Sequence, residues 1–209
     1  MPVMMSSLDL LTAFVLFAFV SSITPGPNNT MLLASGVNFG VRRTIPHAMG
    51  VTLGFMVMVL AVGLGLGEVF KAYPLAYTVL RYIGALYLLY LAYRIASSGP
   101  LSATDPQRRT PLGFWGAAAF QWVNPKAWVM AIGAITTYTP AQGYLFNVGV
   151  ISIVFAVVNL PSVCVWVMFG SALRNVLQNP RWLMLFNLLM AALLVLSLYP
   201  LLFVESGFS

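Results

Sequence analysis

The chain has 209 residues, of which 60% are hydrophobic and only 7% are charged, and its formal net charge is +6. A soluble domain of this length cannot bury so much apolar surface in one core, so the composition excludes the soluble classes and indicates an integral membrane protein. The basic residues fall in short loops between apolar runs, which favours lipid headgroups and argues against a nucleic-acid partner.

Six apolar segments are long enough to cross about 30 Å of hydrocarbon. We therefore predict an all-α, polytopic protein with six transmembrane helices. The spans cover approximately residues 8–39, 46–69, 75–96, 112–139, 143–172 and 182–203. Residues 1–7 contain no Lys or Arg and Asp9 opens the first apolar run, so we expect the N-terminus to be retained and not cleaved as a signal peptide.

A polar motif interrupts the first span, which is too long for one straight crossing. The motif consists of Thr24, Pro25, Gly26, Pro27, Asn28 and Asn29. Prolines remove helical amide donors, and lipid cannot satisfy the backbone groups left unpaired, so these groups must face protein or water. We expect the carbonyls of residues 21–23 to attract cations and the amides near Asn28 to attract anions. The alternative is a proline kink in which the asparagines only satisfy the loosened backbone.

Several other residues have structural interpretations. Three glycine pairs with small-xxx-small spacing predict close helix packing. The pairs are Gly36 with Gly40, Gly50 with Gly54, and Gly63 with Gly67. His47, and Asn187 in the last span, are predicted to be polar residues at the membrane interface. Cys164 is the only cysteine, so the chain can form no internal disulfide, CxxC pair or zinc-cysteine cluster.

A polar, basic linker divides the chain into two halves of three spans each. We predict a first half at 1–96, a cytoplasmic linker at 97–111 and a second half at 112–209, together one membrane domain. An odd number of crossings per half gives the halves opposite orientations, so they are predicted to be inverted repeats. Arg and Lys in the loops are divided seven to two between the faces, which predicts that both termini are extracytoplasmic. The seven are Arg42, Arg43, Arg94, Arg108, Arg109, Arg174 and Arg181; the two are Lys71 and Arg81.

A second motif, Asn124-Pro125-Lys126, interrupts the fourth span. A lysine at the centre of a span costs roughly 2.5–3.5 kcal/mol, and its side chain reaches only about 6 Å while each interface lies about 15 Å away. We expect Lys126 to pair with carbonyls freed by Pro125 or with a substrate carboxylate. Gln121 can share its helix face. Asn159 is either a cavity ligand or a partner for the carbonyl that Pro161 frees.

With these motifs the chain resembles the lysine-exporter superfamily, particularly its homoserine/threonine-resistance (RhtB) branch. The resemblance covers essentially the whole chain. It includes Thr24–Asn28, Gly36 and Gly40 followed by Arg42 and Arg43, the segment Tyr87–Arg94, the basic linker and Phe120–Lys126. It implies a six-span exporter of amino acids or their derivatives in the bacterial inner membrane, driven by proton antiport. One departure is Leu160-Pro161-Ser162, where a less broken helix is expected.

The two interruptions lie at similar depth, so we predict that they form one midplane cavity. The predicted substrate-binding residues are Thr24, Pro25, Gly26, Pro27, Asn28, Asn29, Gln121, Asn124, Pro125, Lys126 and Asn159. Asn28, freed backbone groups and Lys126 should bind the amino and carboxyl groups of the substrate. Small neutral amino acids should fit better than lysine or arginine, whose second cation would lack a buried counter-charge.

The titratable residues of the spans limit both the proton carrier and the class of protein. No carboxylate lies in a span centre, so the proton carrier must be Asp9, Glu68, His47, Lys126 or the substrate itself, with Lys126 the first choice. The spans contain no paired carboxylates or histidine cluster, so we expect no enzyme activity, no metal and no cofactor. A passive channel is the remaining alternative, and homo-oligomerisation is left open.

Overall fold

The computed structural model describes residues 8–98 and 110–199, and these form helices without any strand. The helices are α1 Leu8–Ile23, α2 Pro27–Ala61, α3 Gly67–Ala72, α4 Pro74–Ala96, α5 Phe114–Gln121, α6 Pro125–Tyr138, α7 Tyr144–Val176 and α8 Pro180–Leu196; a π-helical turn, Val62–Leu66, follows α2. The all-helical prediction is confirmed for this part of the chain. The linker residues 99–109, both chain ends and the last residues of the predicted sixth span lie outside the described residues.

The first interruption falls where the sequence predicts it. α1 ends at Ile23 and α2 begins at Pro27. The backbone amide of Thr24 still donates to the carbonyl of Val20 at 3.1 Å, and helical bonding resumes with Thr30 donating to Gly26 at 2.9 Å. Between these two bonds the prolines have no N–H to donate, so the helix cannot continue.

α2 doubles back on itself at Gly40, the one residue inside it with non-helical dihedral angles (φ 77°, ψ 173°). Ser35 Oγ and His47 Nδ1 lie 3.1 Å apart across this point, whereas twelve residues of straight helix would extend about 18 Å. We call residues 27–39 the first arm and residues 41–61 the second arm. The helix of the predicted second span therefore begins at residue 41, ahead of the approximate start given at residue 46, because the positive φ of Gly40 turns the chain at a single residue and the helix resumes immediately.

Within residues 8–98 and 110–199, three helical stretches are long and apolar enough to cross a membrane: Pro27–Leu66, Thr78–Ala96 and Tyr144–Val176. Asp9–Ile23 and Pro180–Leu196 are apolar but shorter. α1 has 16 residues and so extends only about 24 Å; it would need the first arm to complete a crossing. Large hydrophobic side chains such as Leu16, Leu86 and Val129 are exposed on the outside of the bundle, which is the surface that lipid would cover.

α2 and α7 pack closely at the centre of the bundle. A Cβ atom on Gly36 would meet the carbonyl oxygen of Val167, and one on Gly170 would meet that of Leu33. The predicted close packing is thus confirmed for Gly36, and it also holds for Gly50, Gly54 and Gly63. It is wrong for two of the predicted glycines: Gly40 forms the turn, and a Cβ on Gly67 would meet nothing within 4 Å.

α7 is a continuous helix of 33 residues that passes through Pro161. Ser162 Oγ donates to the carbonyl of Val158 at 2.8 Å beside the proline. The departure noted at Leu160–Ser162 therefore does not interrupt the helix. Phe155, on the same helix, packs edge-on against Phe14 and Phe55, with ring centroids 5.3 and 5.0 Å apart. We call these three rings the aromatic cluster.

Candidate functional site

The two interrupted helices meet through Lys126, the second residue of α6. Its ammonium Nζ donates to the carbonyl oxygen of Thr24 at 2.7 Å, to Thr24 Oγ1 at 2.9 Å and to the carbonyl oxygen of Pro25 at 3.3 Å. A Cβ on Gly26 would lie 2.8 Å from Lys126 Cδ. The absence of a side chain at position 26 is what lets the lysine cross the first interruption.

The partners of Lys126 differ from those expected. Pro125 frees the carbonyl of Gln121, four residues earlier, but the backbone amide of Asn124 already donates to that oxygen at 3.2 Å. The Asn124 side chain caps α6 by accepting from the Lys126 amide at 3.2 Å. The backbone groups of the second interruption are thus satisfied locally. The Lys126 side chain is therefore free to donate to the carbonyls of the first interruption.

Protein donors satisfy every carbonyl at the end of α1. Asn29, which is buried, donates its side-chain amide to the carbonyls of Ser22 and Thr24, both at 2.8 Å. Thr24 Oγ1 donates to Ser21 at 3.1 Å, and Trp166 Nε1 on α7 donates to Ile23 at 3.0 Å. Asn29 therefore has the role expected for a proline kink, because its side-chain amide bonds the loosened backbone carbonyls.

Asn28 and Gln121 form a reciprocal pair that joins the two halves of the chain. Asn28 Nδ2 donates to Gln121 Oε1 at 2.8 Å, and Gln121 Nε2 donates to Asn28 Oδ1 at 3.1 Å. Asn159 accepts from Thr52 Oγ1 at 3.1 Å and donates to Ser22 Oγ at 3.2 Å. These side-chain partners give Asn159 a position at the cavity.

A small cavity lies among these groups. It has a volume of about 20 Å³, which is about the space of one water molecule. Seven of the eleven predicted binding residues line it: Gly26, Asn28, Asn29, Gln121, Asn124, Lys126 and Asn159. Thr24 and Pro25 take part as acceptors for Lys126, while Pro27 and Pro125 are the first residues of α2 and α6. We call this space the central cavity.

Sequence reasoning missed several residues of this site. Phe55, Met130 and Val163 contribute its apolar wall, and Trp166 holds the end of α1 from a distance of more than 140 residues along the chain. Ser22 was a detectable signal, since it is polar and adjoins the first motif. The apolar residues and Trp166 gave no signal, because they look like any lipid-facing positions of a span.

The other candidate proton carriers lie away from the central cavity. Asp9 and Glu68 are exposed, in the first turns of α1 and α3. His47, predicted at the membrane interface, is fully buried within the protein, because the turn at Gly40 brings it against Ser35 inside the bundle. Asn187, also predicted at the membrane interface, is fully buried within the protein as well. Its side chain pairs with Asn38 through hydrogen bonds of 2.8 and 3.2 Å.

Residues 19–202 match the family model described as LysE type translocator. The chain belongs to the LysE-type translocator family. This translocator is 33% identical over 194 residues to a cysteine/O-acetylserine efflux protein of Klebsiella pneumoniae, covering 89% of this chain and 93% of the relative. It is 32% identical over 190 residues to proteins of the same name in Salmonella typhimurium and Escherichia coli, with 89% and 94% covered. No solved structure gives a significant match to this translocator.

Proposed function

We propose that this translocator is a bacterial inner-membrane exporter of small neutral amino acids, and that it works as a secondary active carrier driven by proton antiport. The observation that carries the proposal is the ammonium of Lys126, which binds the carbonyl end of α1 beside the central cavity. A carbonyl helix end is a cation site, and here a tethered cation occupies it.

Recognition of a zwitterion follows from exchange at this cation site. The ammonium of an amino acid can replace Lys126 Nζ on the carbonyls of Thr24 and Pro25, which accept its bonds at 2.7 and 3.3 Å. The released lysine ammonium then pairs with the substrate carboxylate, so no charge is left uncompensated. A second cation on the substrate would have no such partner. The relatives' names include cysteine and O-acetylserine, both small neutral amino acids, and this supports the proposed substrate class.

The proposed architecture is six crossings in two inverted three-span repeats, with both termini extracytoplasmic. The two interruptions support it, because α2 and α6 each begin with a proline and each places its second residue across the bundle. Asn28 reaches Gln121 before the second interruption, and Lys126 reaches Thr24 in the first. Such reciprocity is what a pseudo-twofold axis between broken helices would produce. A reporter fused after Ser209 that is active only in the cytoplasm would contradict the proposed orientation.

A carrier is favoured over a passive channel because the central cavity is too small for an amino acid. Phe55 of the aromatic cluster lines one side of it, and the Asn28–Gln121 pair lies at another. An amino acid needs several times the volume of one water molecule, so binding requires a change of conformation, as alternating access demands. Lys126 is the proposed proton carrier, since it lines the cavity and its described hydrogen-bond partners are neutral oxygens.

Counterflow in proteoliposomes tests the proposed function. Vesicles loaded with unlabelled O-acetylserine, cysteine, threonine, lysine or arginine are presented with labelled O-acetylserine, with and without an imposed pH gradient. We expect saturable counterflow with the three small neutral amino acids and acceleration by the gradient. Uptake that never saturates would indicate the channel, and a strong preference for arginine over threonine would overturn the proposed recognition.

A further inference from the structure

A second, larger cavity lies between the first arm, the end of α4 and the segment before α5. Its volume is about 260 Å³. This is slightly below the roughly 300 Å³ of the smallest typical ligand pockets and is large enough for a small amino acid. Its polar lining residues are Ser35, His47, Arg94, Ser97, Ser98 and Thr110. We call it the access cavity. The proposed export mechanism uses only the central cavity.

His47 gives the access cavity a buried nitrogen, Nε2, that has no hydrogen-bond partner among the described residues. The imidazole is fully buried, and its Nδ1 lies 3.1 Å from Ser35 Oγ. Its Nε2 atom has no hydrogen-bond partner among the described residues, one of only three buried side-chain nitrogen or oxygen atoms there in that condition. A buried nitrogen without a hydrogen-bond partner costs free energy. A ligand in the cavity that bonds to this nitrogen would remove that cost.

Arg94 gives the same cavity a cation. Its Nη2 donates to the carbonyl of Thr110 at 2.9 Å, and its guanidinium lies 6.0 Å from the ring centroid of Tyr90. A guanidinium has five N–H donors in a fixed fork that matches a carboxylate, and one of them makes a described hydrogen bond. No Asp or Glu is among the described lining residues, so the cavity is suited to an anionic group.

The access cavity and the central cavity are arranged in series along one stripe of the first arm. Asn28 lines the central cavity, while Met31, Ser35 and Phe39 line the access cavity. The spacing of three or four residues places all four on one helix face, and Asn28 and Ser35 are about 10 Å apart along the axis. Met31 and Phe120 belong to the same cluster of buried hydrophobic side chains.

We infer that the access cavity is a second substrate site, in which Arg94 binds the carboxylate of an amino acid and His47 Nε2 makes a further polar contact before the substrate passes Met31 to the central cavity. This inference rests on the proposed export function. The loop charges predict this end of the bundle to be cytoplasmic, where an exporter must collect its substrate. A lipid phosphate has the same anionic chemistry, so the test separates the two sources.

Transport kinetics give the first test. Arg94→Gln is compared with Arg181→Gln, which removes another arginine of the same predicted face but not of the cavity. Loss of a charge-assisted bond predicts a rise of about tenfold in the KM for O-acetylserine with Arg94→Gln, with kcat unchanged because the central cavity is intact. Arg181→Gln should leave both constants unchanged. An unchanged KM in Arg94→Gln would overturn the inference.

Thiol protection gives a second test that needs no transport. Cys164 is the only cysteine, so Cys164→Ala, Ser97→Cys protein carries one thiol at the exposed edge of the access cavity. Lys126→Met is added to disable the central cavity. In phosphatidylcholine nanodiscs, O-acetylserine should slow modification by an anionic methanethiosulfonate reagent, and further Arg94→Gln should remove this protection.

The outcomes of the thiol test are distinct from those of the transport test. Absence of protection, or protection that persists with Arg94→Gln, means that the access cavity is not a carboxylate site, even if the wild type transports O-acetylserine. Protection produced by phosphatidylglycerol in the nanodiscs and not by O-acetylserine would assign the cavity to a lipid phosphate and overturn the inference. Failure of the wild type to transport any amino acid of the panel would instead overturn the proposed function.

Discussion

The two interruptions differ in where their hydrogen bonds come from. At the second, three successive backbone amides, those of residues 122–124, donate to carbonyls three residues earlier at 3.1–3.2 Å, and Asn124 caps the following helix. At the first, the carbonyls depend on donors from elsewhere, including Lys126 on α6 and Trp166 on α7. The second interruption is held by its own turn, whereas the first needs side chains of other helices, two of which are distant along the chain.

This difference assigns the two interruptions separate roles in the proposed cycle. The second is a self-contained turn that fixes the start of α6, and therefore the position of Lys126. The first can keep its geometry only while α6 and α7 stay in place, so a shift of either helix changes the acceptors offered at the end of α1. A ligand that favours one arrangement of these donors can shift the equilibrium between conformations.

The largest effect is expected from removing the contact between the two interruptions. Lys126→Met keeps an unbranched side chain that lacks only the terminal atom, and it removes three hydrogen bonds and the charge that would meet the substrate carboxylate. Each charge-assisted bond contributes about 1.5–3 kcal/mol, so O-acetylserine counterflow should fall by at least about 100-fold. The matched control is Lys71→Met, which changes the other lysine of the chain and should transport normally. Transport by Lys126→Met at the wild-type rate would remove Lys126 from the mechanism.

A smaller effect is expected from displacing the lysine without changing it. Gly26→Ala introduces a Cβ 2.8 Å from Lys126 Cδ, whereas Gly113→Ala introduces one that meets nothing within 4 Å. Both glycines precede a helix and neither needs a positive φ. We expect roughly tenfold slower counterflow for Gly26→Ala, since the flexible lysine can partly adjust, and normal counterflow for Gly113→Ala. Equal rates in the two variants would show that the lysine need not cross position 26.

The two interruptions could be located from the sequence, but their hydrogen bonds could not. Proline, glycine and asparagine are local signals, and they correctly indicated the interruptions near Pro25 and Pro125. The partners are set by tertiary structure. Lys126 bonds to Thr24 because a local amide satisfies the carbonyl that Pro125 frees, and His47 is buried because the turn at Gly40 brings Ser35 against it. Neither contact has a signature in the sequence around the residue concerned.

The comparison also predicts a difference in stability between two asparagines. Asn29→Ala leaves the carbonyl of buried Ser22 without its side-chain donor and removes one of the two donors to the carbonyl of Thr24, which Lys126 still bonds, at a total cost of about 2–4 kcal/mol. Asn124→Ala removes a helix cap, which costs about 1 kcal/mol. The apparent melting temperature in detergent, measured by fluorescence-detected gel filtration, should therefore fall further for Asn29→Ala. A larger fall for Asn124→Ala would mean that the second interruption is the weaker one.

The smallest effect is expected at Trp166, the most remote donor to the first interruption. Trp166→Phe keeps an aromatic ring and removes only the N–H that donates to Ile23 at 3.0 Å. One neutral hydrogen bond contributes about 1 kcal/mol, so counterflow should fall about three- to fivefold if the end of α1 must stay bonded to α7. Trp115→Phe is the matched control, since Trp115 is 81% exposed and its change should alter nothing. If Trp166→Phe and Trp115→Phe transport equally well, the carbonyl of Ile23 does not need its distant donor, and the dependence of the first interruption on other helices reduces to Lys126 and Asn29.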